Sequence, residues 1–255
     1  MAVAESAMVK ASERLIFPLD VPSPEAAKEW VDRLDGMVSF FKVGLELYAA
    51  SGVSLVPYLV DRGKKVFLDL KYYDIPETVE AAVRRVANSG ATFLTVHGNP
   101  KIVKAAVKAR GSSDMKLLAV TVLTSFDDDD MKDMGFERSV RDVVLLRAQK
   151  ALEAGCDGVI SSPREAGLIR DMISSQAGDG QDGSHGGKFL IVTPGIRPSQ
   201  SSKDTHRRHS TPSDAIKAGA DYLVVGRPIR EATNPRGVAE AVVAEMQGAF
   251  DRPIQ

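Results

Sequence analysis

The chain has 255 residues, of which 44% are hydrophobic and 26% are charged, so it is long enough to bury one large α/β core or two smaller ones. Its 33 basic and 34 acidic residues nearly cancel, which excludes an overall electrostatic attraction to nucleic acid or to an anionic membrane. The single Cys156 excludes an intramolecular disulfide and a cysteine-cluster metal site, and it fits a reducing cytoplasm.

The amino-terminal residues 1–12 include charges and no long apolar run, so we expect a loose tail rather than a signal peptide or a membrane anchor. Over residues 13–251, short apolar, β-branched runs alternate with longer amphipathic segments, without a linker. This alternation is typical of parallel β-α-β units. The eight predicted strands are LIFPLD ending at Asp20, FFKVGLEL around Lys42, VFLDLK ending at Lys71, TFLTVHG ending near His97, KLLAVTVLT ending at Thr124, GVISS ending near Ser161, FLIVTPG ending near Gly195 and YLVVGR ending at Arg227.

Helical patterns occupy the segments between the strands. One runs from Pro24 to Leu34, with Ser23 as its N-cap, and another runs from Ser139 to Ala154. An eightfold β/α alternation in about 250 residues predicts a single-domain (β/α)8 TIM barrel, which we favour over a doubly wound open sheet.

Two segments interrupt the alternation. The Gly-rich stretch from Ser175 to Gly187 precedes a strand, so in a barrel it falls on the face opposite the active site, and we expect an exposed, dispensable loop. Residues 195–212 follow the seventh strand on the catalytic face, where long loops often act as mobile lids.

Charged residues cluster where the third strand ends. Asp69 and Lys71 share one side of the strand, while Leu68 and Leu70 point to the other. If the leucines face the helices, the charged pair faces the barrel interior near its mouth, where unpaired charges are costly. The pair is either a structural salt bridge, with Asp74 only helping to start the next helix, or part of a catalytic site.

Neighbouring strands favour the catalytic alternative. Asp20 closes the first strand and Lys42 lies in the second, so side chains of alternating charge would surround one cavity and keep each other ionised. The loops after strands seven and eight, which frequently bind phosphate in barrels, supply Arg197, Gly226 and Arg227. We therefore predict a phosphorylated substrate.

Six motifs follow one another in a consistent order and spacing. They are D-x-K-x-x-D at Asp69, Lys71 and Asp74 continued by IPETV, LD at Asp20, KVG at Lys42, TVLTS ending at Ser125, TPGIRP, and GRPI. Together they resemble the orotidine 5′-phosphate decarboxylase family, in its shorter bacterial type, over nearly the whole chain. Metal-using sugar-phosphate decarboxylases and hexulose-phosphate synthases of the same superfamily look similar at D-x-K-x-x-D, but they carry a glutamate that binds Mg²⁺ where Lys42 stands.

The resemblance implies conversion of orotidine 5′-monophosphate into uridine 5′-monophosphate and CO₂ in pyrimidine biosynthesis, without a cofactor or a metal. It implies that Lys71 donates the proton and that Asp69 lies against the departing carboxylate. It also implies that Lys42 holds Asp69 and a ribose hydroxyl and that Asp20 holds another ribose hydroxyl, and it includes Lys42 and Asp74 in the catalytic set.

The resemblance further implies a homodimer with shared active sites. In this family Asp74, Ile75 and Thr78 reach the active site of the neighbouring subunit. Either Thr124 or its neighbour Ser125 would read the pyrimidine edge. The expected partners are thus a small nucleotide substrate and a second copy of the chain, with no nucleic acid and no membrane.

The phosphate contacts match at Arg197, Gly226 and Arg227. His206 stands where bacterial relatives usually carry a phosphate-contacting glutamine, nine residues after the lid arginine, and we expect it to donate a hydrogen bond there.

Two further departures leave the catalytic set untouched. Tyr73 and Glu77 replace the usual histidine and asparagine of D-L-K-x-H-D-I-P-N-T, and we interpret His97 as structural because it lacks a paired ligand. The alternative functions are a Mg²⁺-dependent sugar-phosphate decarboxylase or aldolase of the same superfamily and a catalytically inactive barrel that binds a phosphorylated ligand.

Overall fold

The computed structural model, which describes residues 10–177, 189–198 and 210–251, contains a closed barrel of eight parallel strands. The strands pair in sequence order, and the first pairs with the eighth to complete the ring. The predicted TIM barrel is therefore confirmed, and the open sheet is wrong. The strands are β1 Leu15–Pro18, β2 Phe40–Val43, β3 Lys65–Tyr72, β4 Phe93–His97, β5 Lys116–Val120, β6 Gly158–Ile160, β7 Leu190–Thr193 and β8 Tyr222–Val224.

Helices connect the strands and pack around the barrel. The helix predicted from Pro24 is α1, and the Ser23 side chain caps it by accepting a hydrogen bond from the Ala26 N–H. Ser139 caps α7 in the same way. The helices are α1 Pro24–Arg33, α2 Leu45–Ser51, α3 Leu55–Asp61, α4 Pro76–Ala87, α5 Pro100–Arg110, α6 Asp128–Asp133, α7 Val140–Glu153, α8 Pro163–Ala177, α9 Pro212–Lys217, α10 Arg227–Arg230 and α11 Pro235–Phe250.

The barrel interior is filled by apolar side chains, so it is a packed core rather than a pore. Aromatic rings dominate it: the ring centroids of Phe40 and Phe93 are 4.9 Å apart, and those of Phe93 and Tyr222 are 5.1 Å apart. Leu68 and Leu70 belong to a separate apolar core between the strands and the helices, which we call the outer core. The inward-facing set comprises Ile16, Phe40, Phe67, Phe93, Leu118, Val192 and Val224.

Several strands end earlier than their apolar pattern predicts. The fifth strand stops at Val120, four residues before Thr124, although Val122 is still buried. Apolar, β-branched residues mark burial, and burial continues past the point where backbone pairing stops. The pattern therefore does not locate the barrel rim.

The predicted loose tail is wrong at its carboxyl end. Ala11–Glu13 form a 3₁₀ helix, and Ala11 is buried in the outer core. The Arg14 guanidinium lies 4.6 Å from the Phe250 ring centroid, which ties this segment to the last helix.

The two irregular segments lie partly outside the described residues. Helix α8 extends through Ser175 to Ala177, so the first residues of the predicted Gly-rich loop are helical, while residues 178–188 are not described. In the predicted lid, Ile196 pairs with Ser210 in an isolated bridge and Thr211 caps α9. No described helix is long and apolar enough to cross a membrane.

Candidate active site

A cavity of about 320 Å³ opens at the carboxyl ends of the strands. Its apolar lining includes Val120, Ile160 and Val224. The ends of β1, β2 and β3 supply acids and bases to the cavity, and the segments after β7 and β8 supply arginines. The polar residues that line the cavity are Asp20, Lys42, Asp69, Lys71, Thr124, Arg197 and Arg227.

Four of these residues form a chain of alternating charge, which we call the charge chain: Asp20, Lys42, Asp69 and Lys71. The Lys42 Nζ lies 3.1 Å from Asp20 Oδ1 and 3.6 Å from Asp69 Oδ2. The Lys71 Nζ donates to Asp69 Oδ1 at 2.8 Å. The Lys42 and Asp69 side chains are only 12% and 16% exposed, and their mutual pairing offsets the cost of removing them from water.

Lys71 is the more exposed of the two lysines in the charge chain. Its side chain is 35% exposed, about twice as much as that of Asp69 at 16%. Asp69 thus holds one nearly buried ammonium group and one that is open to the cavity. A ligand in the cavity can reach the Lys71 ammonium without breaking the pairing of Lys42.

The backbone of β3 is irregular where it carries this pair. Leu68 pairs with Leu94 and Tyr72 pairs with Val96, so residues 69–71 face a single residue of β4, Thr95. Lys71 has φ +49, a left-handed conformation that costs a non-glycine residue on the order of 1–3 kcal/mol.

Thr95 holds this irregular segment in place. Its Oγ1 accepts a hydrogen bond from the Lys71 N–H at 2.9 Å and lies 3.0 Å from Asp69 Oδ1, within hydrogen-bonding distance. The residue is fully buried. Sequence reasoning did not identify it, although the alternation in TFLTVHG, with Phe93 inward, places Thr95 inward as well.

Gly44 is a second residue that sequence reasoning missed. A Cβ at this position would lie 3.1 Å from Lys42 Nζ and 3.4 Å from Asp20 Oδ1. The glycine of the KVG motif therefore leaves the space in which these two side chains pair.

Arg197 and Arg227 line the same cavity. Burial, and then the neighbouring Arg227 guanidinium, lower the pKa of Arg197. The nearby charge that affects Arg197 most is thus another cation, and this arrangement favours an anionic ligand between the two arginines. Gly226 is required for packing, since an added Cβ would lie 2.7 Å from the Pro18 side chain.

Comparison with known proteins gives the family. Residues 13–242 match the model of the Orotidine 5′-phosphate decarboxylase / HUMPS family. The chain belongs to this family.

Close relatives cover nearly the whole chain. The orotidine 5′-phosphate decarboxylase of Rhodopseudomonas palustris (strain HaA2) is 51% identical over 237 residues, which are 93% of this chain and 96% of that protein. The enzyme of the same name from Caulobacter vibrioides (strain NA1000 / CB15N) is 50% identical over 238 residues, 93% of this chain and 99% of that protein. The crystal structure of orotidine 5′-phosphate decarboxylase from Lactobacillus acidophilus superposes with a TM-score of 0.76 at 35% identity, covering 92% of this chain and 99% of that chain.

Three residues of the family motif lie outside the cavity of their own chain. Asp74, Ile75 and Thr78 are exposed, and none of them lines the cavity. The Ile75 side chain is 62% exposed, and Asp74 Oδ1 accepts a hydrogen bond from the Ile75 N–H at 2.6 Å. Asp74 therefore does not join Asp69 and Lys71 within one chain.

Some of the remaining family positions line the cavity, and others do not or lie outside the described residues. Thr124 lines the cavity, and Ser125 is not among the residues that do. Arg197 is described, whereas His206 lies outside the described residues.

Tyr73, one of the two departures from the family motif, contacts His97. The Tyr73 ring stacks on His97 with centroids 4.1 Å apart and an angle of 26°. The His97 Nδ1 accepts a hydrogen bond from the Asn99 N–H at 3.2 Å, and burial, followed by the nearby Arg147 charge, lowers the pKa of His97. These contacts fit the structural role expected for His97.

Proposed function

We propose that this protein is an orotidine 5′-phosphate decarboxylase, a carboxy-lyase that converts orotidine 5′-monophosphate into uridine 5′-monophosphate and CO₂ in pyrimidine biosynthesis. The observation that carries the proposal is the charge chain, which lines one cavity together with Arg197 and Arg227. A nucleotide monophosphate contacts both groups of residues, because its phosphate suits the arginines and its reacting ring then lies at the lysines. Family membership and relatives of this activity at about 50% identity support the same reaction.

The chemistry requires electrostatic stabilisation. When the bond between C6 and the carboxyl group breaks, its electron pair stays on C6, in the plane of the ring, where the ring π system does not delocalise it. A fixed positive charge next to C6 stabilises the transition state more than the ground state. The Lys71 ammonium supplies that charge and then transfers a proton to C6, which leaves a neutral amine that solvent reprotonates.

Asp69 acts on both partners of this step. Its contact with Lys71 at 2.8 Å orients the ammonium group. Its charge lies where the substrate carboxylate enters, and the repulsion between the two carboxylates is relieved when CO₂ leaves.

The other cavity residues bind the parts of the nucleotide that do not react. In this proposal Asp20 and Lys42 hold ribose hydroxyls, and Thr124 contacts the pyrimidine edge. Arg197 and Arg227 hold the phosphate, and binding energy from this remote group fixes the reacting ring.

Active sites shared within a homodimer complete the proposal. Asp74, Ile75 and Thr78 are exposed and lie outside the cavity of their own chain, as residues that serve a neighbouring site should. Tyr73 and Ile75 flank Asp74 in the sequence, and both are more than 60% exposed. A second subunit would cover these apolar side chains. We place the enzyme in the cytoplasm.

The direct test follows the loss of ultraviolet absorbance of orotidine 5′-phosphate. Wild-type protein should convert the nucleotide, and Lys71→Ala should lower kcat by at least about 100-fold, since it removes both the fixed charge and the proton donor. Lys217→Ala, which removes an exposed lysine at the end of α9, is the matched control and should retain wild-type rates. Equal rates for wild type and Lys71→Ala, or an inactive wild type, would exclude the proposal.

A further inference from the structure

One buried hydroxyl joins the two halves of the acid and base pair. Thr95 Oγ1 lies 2.9 Å from the Lys71 backbone nitrogen and 3.0 Å from Asp69 Oδ1. The same Asp69 oxygen accepts the hydrogen bond from Lys71 Nζ at 2.8 Å. A closed network therefore runs from the Lys71 backbone through Thr95 and Asp69 to the Lys71 ammonium group.

The hydrogen-bonding capacity of the hydroxyl matches this network. Its oxygen accepts from the Lys71 N–H, and its single proton is donated to Asp69 Oδ1 rather than to the Leu68 carbonyl, which is farther away at 3.5 Å. An ionised carboxylate is also the stronger acceptor. A threonine or a serine satisfies both contacts, and a valine of the same shape satisfies neither.

The position of Thr95 in β4 brings its hydroxyl to both Lys71 and Asp69. Residues 69–71 oppose Thr95 alone, because strand pairing is interrupted between Leu68 and Tyr72. The Lys71 N–H bonds to the Thr95 side chain, which supports the left-handed backbone at Lys71. Thr95 itself does not line the cavity, so any effect on a ligand passes through Asp69 and Lys71.

We propose that Thr95 is a positioning residue for the decarboxylation, an inference that rests on the proposed function. Its hydroxyl fixes the Asp69 carboxylate and the Lys71 backbone relative to each other. The Lys71 ammonium group is then held over the reacting carbon before the substrate binds. The residues proposed to bind phosphate and ribose come from other strands, and none of them contacts this hydroxyl directly.

The experiment compares Thr95→Val, Thr95→Ser and Thr193→Val with the wild-type enzyme. Thr193, at the end of β7, is an equally buried threonine, and its hydroxyl has no hydrogen-bond partner among the described residues. It is the matched control for replacing a threonine with a valine. The measurements are kcat and KM for orotidine 5′-phosphate, the affinity for uridine 5′-monophosphate by calorimetry, and Tm.

Thr95→Val should lower kcat by roughly 10- to 100-fold while KM and the affinity for uridine 5′-monophosphate change less than threefold. Thr95→Ser should retain kcat within about threefold, because it keeps the hydroxyl, and Thr193→Val should resemble wild type. Should Thr95→Val fail to fold, the comparison of Thr95→Ala with Thr95→Ser tests the same hydroxyl.

Three outcomes would overturn the inference in an active enzyme. They are a kcat for Thr95→Val within threefold of wild type, an equal loss in Thr95→Ser, and a loss of nucleotide affinity that parallels the loss of kcat. A wild-type protein that does not turn over orotidine 5′-phosphate would instead refute the proposed function, and the role of Thr95 with it.

Discussion

The two lysines of the charge chain differ in what surrounds them. Lys42 contacts carboxylates on both sides, Asp20 and Asp69, and only 12% of its side chain is exposed. Lys71 contacts Asp69 and keeps 35% of its side chain open to the cavity. A residue held by two acids suits binding and charge balance, whereas a residue with one free side suits proton transfer to a ligand.

A substitution at Gly44 tests whether the pairing of Lys42 with Asp20 contributes to substrate binding. In Gly44→Ala the new methyl group lies 3.1 Å from Lys42 Nζ and displaces it from Asp20, so we expect KM to rise roughly tenfold while kcat changes less. Tm should hardly change, because the displaced atom ends a flexible side chain. Steady-state kinetics and thermal unfolding measure both effects.

Gly167→Ala is the control for this substitution. An added Cβ in α8 meets only the Ala218 carbonyl oxygen, at 3.7 Å, and alanine has the higher helix propensity. Gly167→Ala should therefore keep wild-type kinetics. If Gly44→Ala shows an unchanged KM, the space beside Lys42 has no role in binding.

At the scale of elements, β3 shows what its sequence could predict and what it could not. The alternation of leucines and charges in FLDLK predicts which side chains face inward, because period-two geometry needs no knowledge of neighbouring strands. The left-handed backbone at Lys71 and its hydrogen bond to Thr95 depend on how β3 pairs with β4. Neither is marked by glycine or asparagine, the residues that usually signal such a conformation.

The strand ends and the amino-terminal tail also depend on contacts that a local sequence pattern does not contain. The sequence places eight strands in the correct order, yet extends the fifth to Thr124, because apolar residues continue beyond the barrel rim. The 3₁₀ helix at Ala11–Glu13 is stabilised by packing against the last helix, a contact between the two ends of the chain. Local patterns do not contain contacts of that kind.

At the scale of the whole molecule, the proposed dimer predicts complementation between two inactive variants. Lys71→Ala removes the proton donor, and Asp74→Ala removes a residue that is proposed to serve the neighbouring site. After the two proteins are unfolded and refolded together, half of the dimers are mixed. Each mixed dimer has one intact site, so about one quarter of wild-type activity should return.

The same mixing experiment contains its own control. Lys71→Ala mixed with Asp69→Ala should recover nothing, because both residues belong to the same cavity. If the inactive Lys71→Ala and Asp74→Ala proteins also fail to restore activity, Asp74 acts within its own chain. An Asp74→Ala protein that is active before mixing would show that Asp74 has no role in the site.

The most direct measurement of the central claim follows the products formed from orotidine 5′-phosphate by protein that has been treated with EDTA. The charge chain presents two ammonium groups to the substrate, so no divalent cation is needed at the reacting carbon. We expect uridine 5′-monophosphate and CO₂ in equal amounts, at the same rate with and without EDTA. Failure to form uridine 5′-monophosphate, or activity that EDTA abolishes and Mg²⁺ restores, would contradict the account.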